Sequence, residues 1–416
     1  MILLNLKLNA PTDRALKMLF FTGFRGYLVG GSVRDLLLKR KPKNINICTN
    51  ALPENVLQTF VLFKTDPTDM KRGIIRVRIH SVPVEISTYR MDGHGQEVEN
   101  PEQIVLTDQL SLDLVRRDFT INAMAYNQAL GLVDYHNGYE DLKGKLIRCV
   151  GDPFVRLGED PLRIIRGIRF ASVLKFEIEA ETKKAIFENK ELVRKIPNEV
   201  LGKELLKILK GPNSRNVLEE YSRVINVFVP ELRILNPTEI KEMASVVSQL
   251  PSNPSLKFAG FLYYLEETCV RSVLTRFYLK KTLVNEICIL IESAKKPLKP
   301  DSKTIKYCIK NYNIETLQNI FLLKKGYLTY SAVSNEDYSN QDKNMHIILE
   351  LVQEILKNHG CCKIQDLDID GEDLSKLGIG KDGYIGKIME KLLDLVIEGK
   401  LQNKKKELIN YVKKYF

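Results

Sequence analysis

The chain has 416 residues, of which 44% are hydrophobic and 28% charged, and its formal net charge is +11. This composition predicts a globular protein of two or three domains, and it argues against a membrane span because no apolar run approaches ~18 residues. The seven cysteines include no CxxC pair and the five histidines are dispersed, which indicates reduced thiols and no zinc site.

The excess of basic residues is typical of proteins with a polyanionic partner, although a lysine-rich surface that is only solvated would give the same total. The N-terminal stretch lacks the basic lead and the small-residue cleavage site of a signal peptide. We therefore expect a cytoplasmic protein.

The segment 26–49 predicts a strand, a glycine turn, a helix, a loop and a second strand. Gly30 and Gly31 interrupt the first apolar run, and Ser32 is placed to cap a helix that begins at Val33. A glycine turn at the start of a helix offers backbone N–H groups to a phosphate. The segment therefore has the pattern of a phosphate-binding turn.

Three stretches alternate polar and apolar residues with the period of a half-buried strand. In the second strand of segment 26–49 this alternation places Asn44 and Asn46 on one face. The segments 73–80 and 83–90 predict a β-hairpin, with Glu85 in its second strand. A strand glutamate by itself is more often solvent-facing than functional.

Downstream of the hairpin, segment 91–110 is polar and contains glycines, which predicts a mobile loop. Segment 112–127, LDLVRRDFTINAMAYN, has apolar residues at helical spacing, which predicts that it begins or spans a helix. Segment 146–150 predicts a strand that closes the first domain, and the pattern is helical after Gly151.

In the helical region after Gly151, arginine recurs at every third position, at Arg163, Arg166 and Arg169. The three side chains therefore share one helical face. Like charges at that spacing repel, which favours an anion or a hydrogen-bonding ligand nearby. A solvated arginine stripe is the alternative.

In this order, the motifs GGSVRD, RRDFTINAMAY, D-x₃-G at 134–138 and EDxxR at 159–163 resemble those of the polymerase β-like nucleotidyltransferases. The chain is most similar to the class II branch, the CCA-adding tRNA nucleotidyltransferases and poly(A) polymerases. The resemblance covers roughly residues 10–215 and extends weakly through the tail.

The resemblance implies an α+β fold, in which a nucleotidyltransferase head with a mixed sheet precedes an all-α neck, body and tail. We expect the head over 1–150, the neck over 151–215, the body over 216–296 and a basic, tRNA-binding tail over 297–416. The D-x₃-G element resembles a hinge between head and neck, and an ordinary turn after a strand would look the same. A flexible loop occupies the place of 91–110 in family members that add the full CCA.

The resemblance also assigns roles in binding CTP or ATP. The nucleotide-binding residues would be Gly30, Gly31, Ser32, Arg34, Arg117, Asn122, Asp160, Arg163, Arg166 and Arg169, with Glu159, Asp160 and Arg163 as the template for the base. Cytosine and adenine both present an amino group where uracil and guanine present a carbonyl, so one Asp–Arg pair can accept the first two bases and reject the others.

One position departs from the family pattern. Family members have Asp-x-Asp where this chain has Asn44 and Asn46, and together with Glu85 these catalytic positions hold Mg²⁺ for two-metal phosphoryl transfer. Asparagine has the shape of aspartate without its charge, and Mg²⁺ prefers anionic oxygens. We therefore expect weakened Mg²⁺ binding at Asn44 and Asn46.

The resulting hypothesis is an enzyme that adds CCA to tRNA from CTP and ATP, inactive or nearly so as its sequence stands. The alternatives are a pseudoenzyme that binds tRNA or nucleotide without catalysis, a CC-only or A-only enzyme, and a poly(A) polymerase. The two asparagines are either deliberate isosteric substitutions or natural ones, and the otherwise intact motifs favour the former.

Overall fold

The structure is a computed structural model that describes residues 4–91, 104–332, 347–355, 357–358, 360–379 and 384–416. It divides the chain into two compact units, residues 1–233 and 234–416. Most of the loop predicted over 91–110 lies outside the described residues. No helix in the described part of the chain is long and apolar enough to cross a membrane.

All strands among the described residues lie in the first unit. They are β1 (Gly26–Val29), β2 (Ile45–Thr49), β3 (Lys64–Asp66), β4 (Ile74–Ile79), β5 (Val82–Thr88), β6 (Arg90–Met91), β7 (Val105–Leu106), β8 (Met124–Asn127), β9 (Gly131–Asp134), β10 (Leu146–Ile147) and β11 (Glu177–Ile178). Seven of them form a mixed sheet in the order β3-β4-β5-β2-β1-β8-β9. In this sheet β2 and β5 are parallel, and the other neighbours are antiparallel.

In chain order, the first helices of this unit alternate with the strands of the sheet, and the later helices follow it. They are α1 (Ala10–Phe21), α2 (Gly31–Leu37), α3 (Pro53–Thr59), α4 (Leu110–Val115), α5 (Gly138–Lys143), α6 (Pro153–Glu159), α7 (Leu162–Leu174), α8 (Ala180–Glu188), α9 (Asn198–Leu209), α10 (Ser214–Glu220) and α11 (Ser222–Phe228). Short 3-10 helices lie at Met70–Arg72, Thr120–Asn122, Lys190–Lys195 and Pro230–Ile234.

The described part of the second unit is helical. Its helices are Pro237–Gln249, Pro254–Phe261, Glu267–Arg276, Lys281–Lys295, Ser302–Asn311, Ile314–Ala332, Gly371–Lys376, Tyr384–Ile397 and Lys405–Tyr415, with a 3-10 helix at Ile364–Asp366. A mixed-sheet head followed by a helical remainder confirms the predicted fold class. The finer division into head, neck, body and tail stays a prediction.

Across β2, β5 and β4, the register places a buried apolar row next to a polar row on the opposite face. Ile47, Ile86 and Ile75 lie side by side across β2, β5 and β4, and each is fully buried. The adjacent row, one residue earlier on β2 and β5, therefore points to the opposite face. This polar row contains Asn46 and Glu85.

The β-hairpin is confirmed, with a shift of its turn by one residue. The turn is formed by His80 and Ser81, whose φ angles of 46° and 66° lie in the left-handed region. Two positive φ values in a two-residue loop match the right-handed twist of the flanking strands.

The helix predicted over 112–127 is wrong beyond its first turn. Helix α4 ends at Val115, and Met124–Asn127 is strand β8, which pairs with both β1 and β9. Ala125 and Tyr126 are fully buried, so this strand presents a continuous apolar run whose periodicity does not distinguish it from a buried helix.

The strand predicted over 146–150 is shorter than expected and does not join the large sheet. Strand β10 has two residues and pairs in parallel with β11, which lies beyond α7 in the chain. A local pattern predicts a strand but not its partner, because the partner is chosen by non-local packing.

The D-x₃-G element forms the corner between β9 and α5. The Asp134 carboxylate accepts hydrogen bonds from the amides of His136, Gly138 and Tyr139 at 3.2, 3.0 and 2.9 Å. At Gly138 a Cβ atom would lie 2.1 Å from the carbonyl oxygen of Thr120. Only glycine permits the two backbones to approach this closely.

We expect Gly138→Ala to lower the free energy of unfolding by about 1–3 kcal/mol, the usual cost of forcing extra atoms into a packed site. Urea denaturation of the full chain measures the change. Gly144→Ala, at the end of the same helix, is the matched control because its Cβ would meet nothing closer than 3.4 Å. Equal stability of the two variants would contradict the expectation.

Candidate active site

The glycine turn joins β1 to α2 at the edge of the site. Gly30 has a φ angle of 65°, and its carbonyl accepts the first helical hydrogen bonds from the amides of Val33 and Arg34. A Cβ on Gly30 would lie 3.0 Å from Nη1 of Arg117. Glycine is therefore favoured at this position for two reasons, the positive φ angle and the close approach of the Arg117 guanidinium.

The predicted capping role of Ser32 is wrong. Helix α2 begins at Gly31, so Ser32 lies inside its first turn, and Gly30 is the N-cap. The Ser32 hydroxyl donates to the carbonyl oxygen of Asn44 at 2.9 Å and accepts from the amide of Asn46 at 3.1 Å. Ser32 thus ties the glycine turn to the start of β2.

A buried network joins Arg34, from the turn, to Arg166, from α7. Nη1 of Arg34 donates to Oδ1 of Asn122 at 2.7 Å, and Nδ2 of Asn122 donates to Oδ1 of Asp118 at 3.0 Å. Oδ2 of the same aspartate lies 2.7 Å from Nη2 of Arg166. Burial alone would raise the pKa of Asp118, but Arg166 and the hydrogen bonds to Asn122 and Phe119 outweigh it and lower that pKa.

A second buried cluster, formed by one aspartate and two arginines, lies beside the glycine turn. Asp113 on α4 is fully buried, and its two oxygens lie 2.7 Å from Nη2 of Arg116 and 2.8 Å from Nη2 of Arg117. Burial acts to raise the pKa of Asp113, but the two guanidinium groups overcome it and lower the pKa to about 2. Sequence reasoning missed Asp113, although its spacing of three and four residues from the two arginines was the available signal.

The predicted base-reading residues lie where α6 ends and α7 begins. Nε of Arg163 is 3.4 Å from Oδ2 of Asp160, and its other nitrogens donate to the carbonyls of Arg156 and Arg116 at 3.2 and 3.0 Å. Glu159 accepts from Arg156 at 2.6 Å. Burial raises the pKa of Asp160, with Arg163 acting in the opposite direction.

The three-residue stripe of arginines is neutralised within the protein. Arg163 is paired with Asp160, Arg166 with Asp118, and Arg169 with Glu204, where Nη1 lies 3.0 Å from Oε2. Protein carboxylates therefore relieve the repulsion that suggested a nearby anion. The nucleotide-binding role of these arginines remains a prediction that charge repulsion alone does not support.

The three metal positions of the resembled family lie at the start of β2 and in β5. Asn46 on β2 lies directly beside Glu85 on β5, whereas Asn44 is exposed and precedes the strand. Glu85 Oε2 is 3.5 Å from Nε of Arg76 on β4. No group of three or more His, Cys, Asp or Glu side chains in the described residues is arranged to hold a metal ion.

Two neutral amides and one carboxylate that already contacts a guanidinium do not fit a Mg²⁺ site, because this cation requires anionic oxygens. The residues predicted to bind nucleotide and those at the metal positions therefore differ. The former are paired with partners inside the protein, and two of the three metal positions lack an anionic side chain.

Comparison with known proteins identifies the family. Three family models match the chain: "Poly A polymerase head domain" over residues 26–148, "Probable RNA and SrmB-binding site of polymerase A" over 175–234, and "tRNA nucleotidyltransferase domain 2 putative" over 251–412. The CCA-adding enzyme of Lactobacillus helveticus is 32% identical over 408 residues, covering 94% of this chain and 93% of that protein. The CCA-adding enzyme of Enterococcus faecalis is 30% identical over 398 residues, covering 94% and 92%.

Solved structures have the same fold. The Bacillus stearothermophilus CCA-adding enzyme in complex with CTP matches with a TM-score of 0.76 at 22% identity, covering 98% of both chains. The Thermotoga maritima CCA-adding enzyme complexed with tRNA_CCA matches with a TM-score of 0.69 at 22% identity, covering 97% of this chain and 95% of that one. From its near full-length similarity to these relatives, the chain belongs to the family of CCA-adding enzymes, which are tRNA nucleotidyltransferases.

Proposed function

We propose that this chain binds the 3′ end of tRNA together with CTP or ATP, and that it extends the tRNA slowly or not at all as its sequence stands. This proposal rests on one observation, the contrast between the residues predicted to bind nucleotide and the metal positions of the same site. Arg34 and Arg117 are each held by a buried partner beside the turn, while amides stand at positions 44 and 46 near Glu85, which is paired with Arg76.

The chain's own residues supply the nucleotide-binding part of this function. The amides of Gly31 and Ser32 precede the first helical hydrogen bonds of α2 and are available to a triphosphate. Arg34 and Arg117 are the adjacent cations. Asp118 and Asn122 hold Arg34 in place. Asp160 and Arg163 then read the base through its amino group and the neighbouring ring acceptor.

The same proposal includes Mg²⁺, a tail that contacts the tRNA and a cytoplasmic location. Mg²⁺ is the metal used generally by this class of enzyme, and its binding here is weakened by Asn44 and Asn46. The head over 1–150 carries the chemistry, and the basic tail over 297–416 contacts the tRNA through its phosphates. All seven cysteines are free thiols, which supports a cytoplasmic location.

The direct test uses the chain as it is, with tRNA that lacks its 3′ CCA, Mg²⁺ and labelled CTP or ATP. We expect retention of the tRNA on a filter without extension on a sequencing gel. Extension at the rate of the Lactobacillus or Enterococcus relatives would contradict the proposed impairment. Failure to retain tRNA would contradict the binding function.

The base-reading role gives a separate prediction. We expect Asp160→Asn to weaken CTP and ATP binding about tenfold, because a charge-assisted acceptor contributes about 1.5–3 kcal/mol, and to leave the weak binding of UTP unchanged. The asparagine keeps the oxygen that accepts from the amide of Leu162 at 2.9 Å. Isothermal titration with each nucleotide measures the effect.

Asp152→Asn is the control for this measurement, since Asp152 is an exposed N-cap eight positions earlier whose oxygen the substitution also preserves. An equal loss of affinity for all four nucleotides, or none, would show that Asp160 does not read the base.

A further inference from the structure

The polar row of the sheet continues beyond Asn46 and Glu85. Asn46 is the register partner of Glu85 between β2 and β5, and Glu85 is the register partner of Arg76 between β5 and β4. Directly opposed residues of neighbouring strands project from the same face. An amide, a carboxylate and a guanidinium therefore stand side by side on the face that carries the family's metal positions.

Arg76 is in contact with three carboxylates from separate segments. Its nitrogens lie 3.5 Å from Glu85, 2.5 Å from Asp69 and 3.8 Å from Asp66. Its side chain is 42% exposed and that of Glu85 is 39% exposed, so the pair faces solvent at the open side of the sheet. Asp69 and Asp66 hold the guanidinium where it also reaches Glu85.

A guanidinium in this place affects a cation at the same carboxylate in two ways. It occupies one oxygen of Glu85, and its positive charge repels a divalent ion bound beside it. At a separation of about 7 Å and the high effective dielectric of an exposed site, this repulsion corresponds to about tenfold in affinity.

We propose that Arg76 opposes divalent-cation binding at this site by neutralising Glu85. The low metal affinity of the chain is then set by three residues, Asn44, Asn46 and Arg76. This inference rests on the proposed function, since it concerns the same site, and it makes Arg76 a positioning residue that acts through Glu85. A purely structural ion pair between β4 and β5 is the competing explanation.

The test measures Mn²⁺ binding to the full chain by the electron paramagnetic resonance signal of the free ion, without tRNA or nucleotide. In the background Asn44→Asp with Asn46→Asp, we expect Arg76→Gln to tighten Mn²⁺ binding about tenfold. Arg76→Lys keeps the positive charge and should leave the affinity within about twofold of the background.

Arg78→Gln is the matched control. Arg78 lies two residues further along β4, on the same face, and is exposed, with Nη1 donating to the carbonyl of Ser81 at 3.3 Å. It carries the same charge but is opposite Pro83 instead of Glu85. Equal effects of Arg76→Gln and Arg78→Gln, or no effect of either, would overturn the proposal.

This readout separates the inference from the proposed function. If the Asn44→Asp, Asn46→Asp variant extends tRNA but its Mn²⁺ affinity does not change when Arg76 is replaced, the inference fails and the function stands. If Arg76→Gln tightens Mn²⁺ binding while no variant binds tRNA, the inference stands and the function fails.

Discussion

Replacing Asn44 and Asn46 by aspartate is expected to raise the rate of tRNA extension by at least about 10²–10³-fold, the scale on which removal of one electrostatic contributor slows an enzyme. The two aspartates would restore the anionic ligands beside Glu85, and a bound Mg²⁺ would then stabilise charge on the transferring phosphoryl group. The position of the strand would not have to change, because Ser32 already fixes it through the backbone of Asn44 and Asn46.

The measurement compares the double variant with the unmodified chain on tRNA that lacks its 3′ CCA, with labelled CTP, ATP or both. Sequential addition of C, C and A by the double variant would identify the full activity and exclude the CC-only and A-only alternatives. The two single variants are each expected to gain less than the double, since both carboxylates act on the same charge.

Asn50→Asp provides the control for added charge. Asn50 follows β2 directly, and its Oδ1 accepts from the amide of Arg25 at 2.7 Å, a bond that aspartate retains. It adds one negative charge near the sheet but away from the polar row, and we expect no gain in extension. If the double variant binds tRNA and still adds nothing, the chain is a binding protein and not an impaired enzyme.

Asp113→Asn is expected to have the largest effect on stability. It removes the shared counter-charge of Arg116 and Arg117, and Arg117 is itself largely buried. Breaking a buried ion pair by removing one partner costs about 3–5 kcal/mol, because the remaining charge is left uncompensated. Since Arg117 borders Gly30, nucleotide affinity should fall together with stability.

Urea denaturation at pH 7 measures this loss, with Asp108→Asn as the control because Asp108 is exposed and precedes the same helix. The folded-state pKa of Asp113, about 2, is below its ordinary value of about 3.9. Its stabilising contribution is therefore complete above about pH 4 and is lost as the pH falls towards 2.

The stability difference between the unmodified chain and Asp113→Asn should accordingly shrink between pH 4 and the folded-state pKa of about 2. A difference that stays constant over this range, or a loss no larger than that of Asp108→Asn, would show that the charge of Asp113 is unimportant.

The sequence by itself determined the local elements around the site and the family. Alternation and turn residues are short-range signals, so β1, the glycine turn, α2 and β2 follow from segment 26–49, and the hairpin from 73–90. The ordered motifs were specific enough to predict the fold class and the family. The departure at Asn44 and Asn46 is likewise visible from the residues alone.

Only the tertiary structure decided which distant residues share the site. Ser32 bonds to a strand residue 14 positions away, and Arg76 faces Glu85 beside Asn46. The parallel pairing of β2 with β5 skips two intervening strands, β3 and β4. Such contacts depend on strand register and burial, which are fixed by packing over the whole head and leave no periodic signal in the chain.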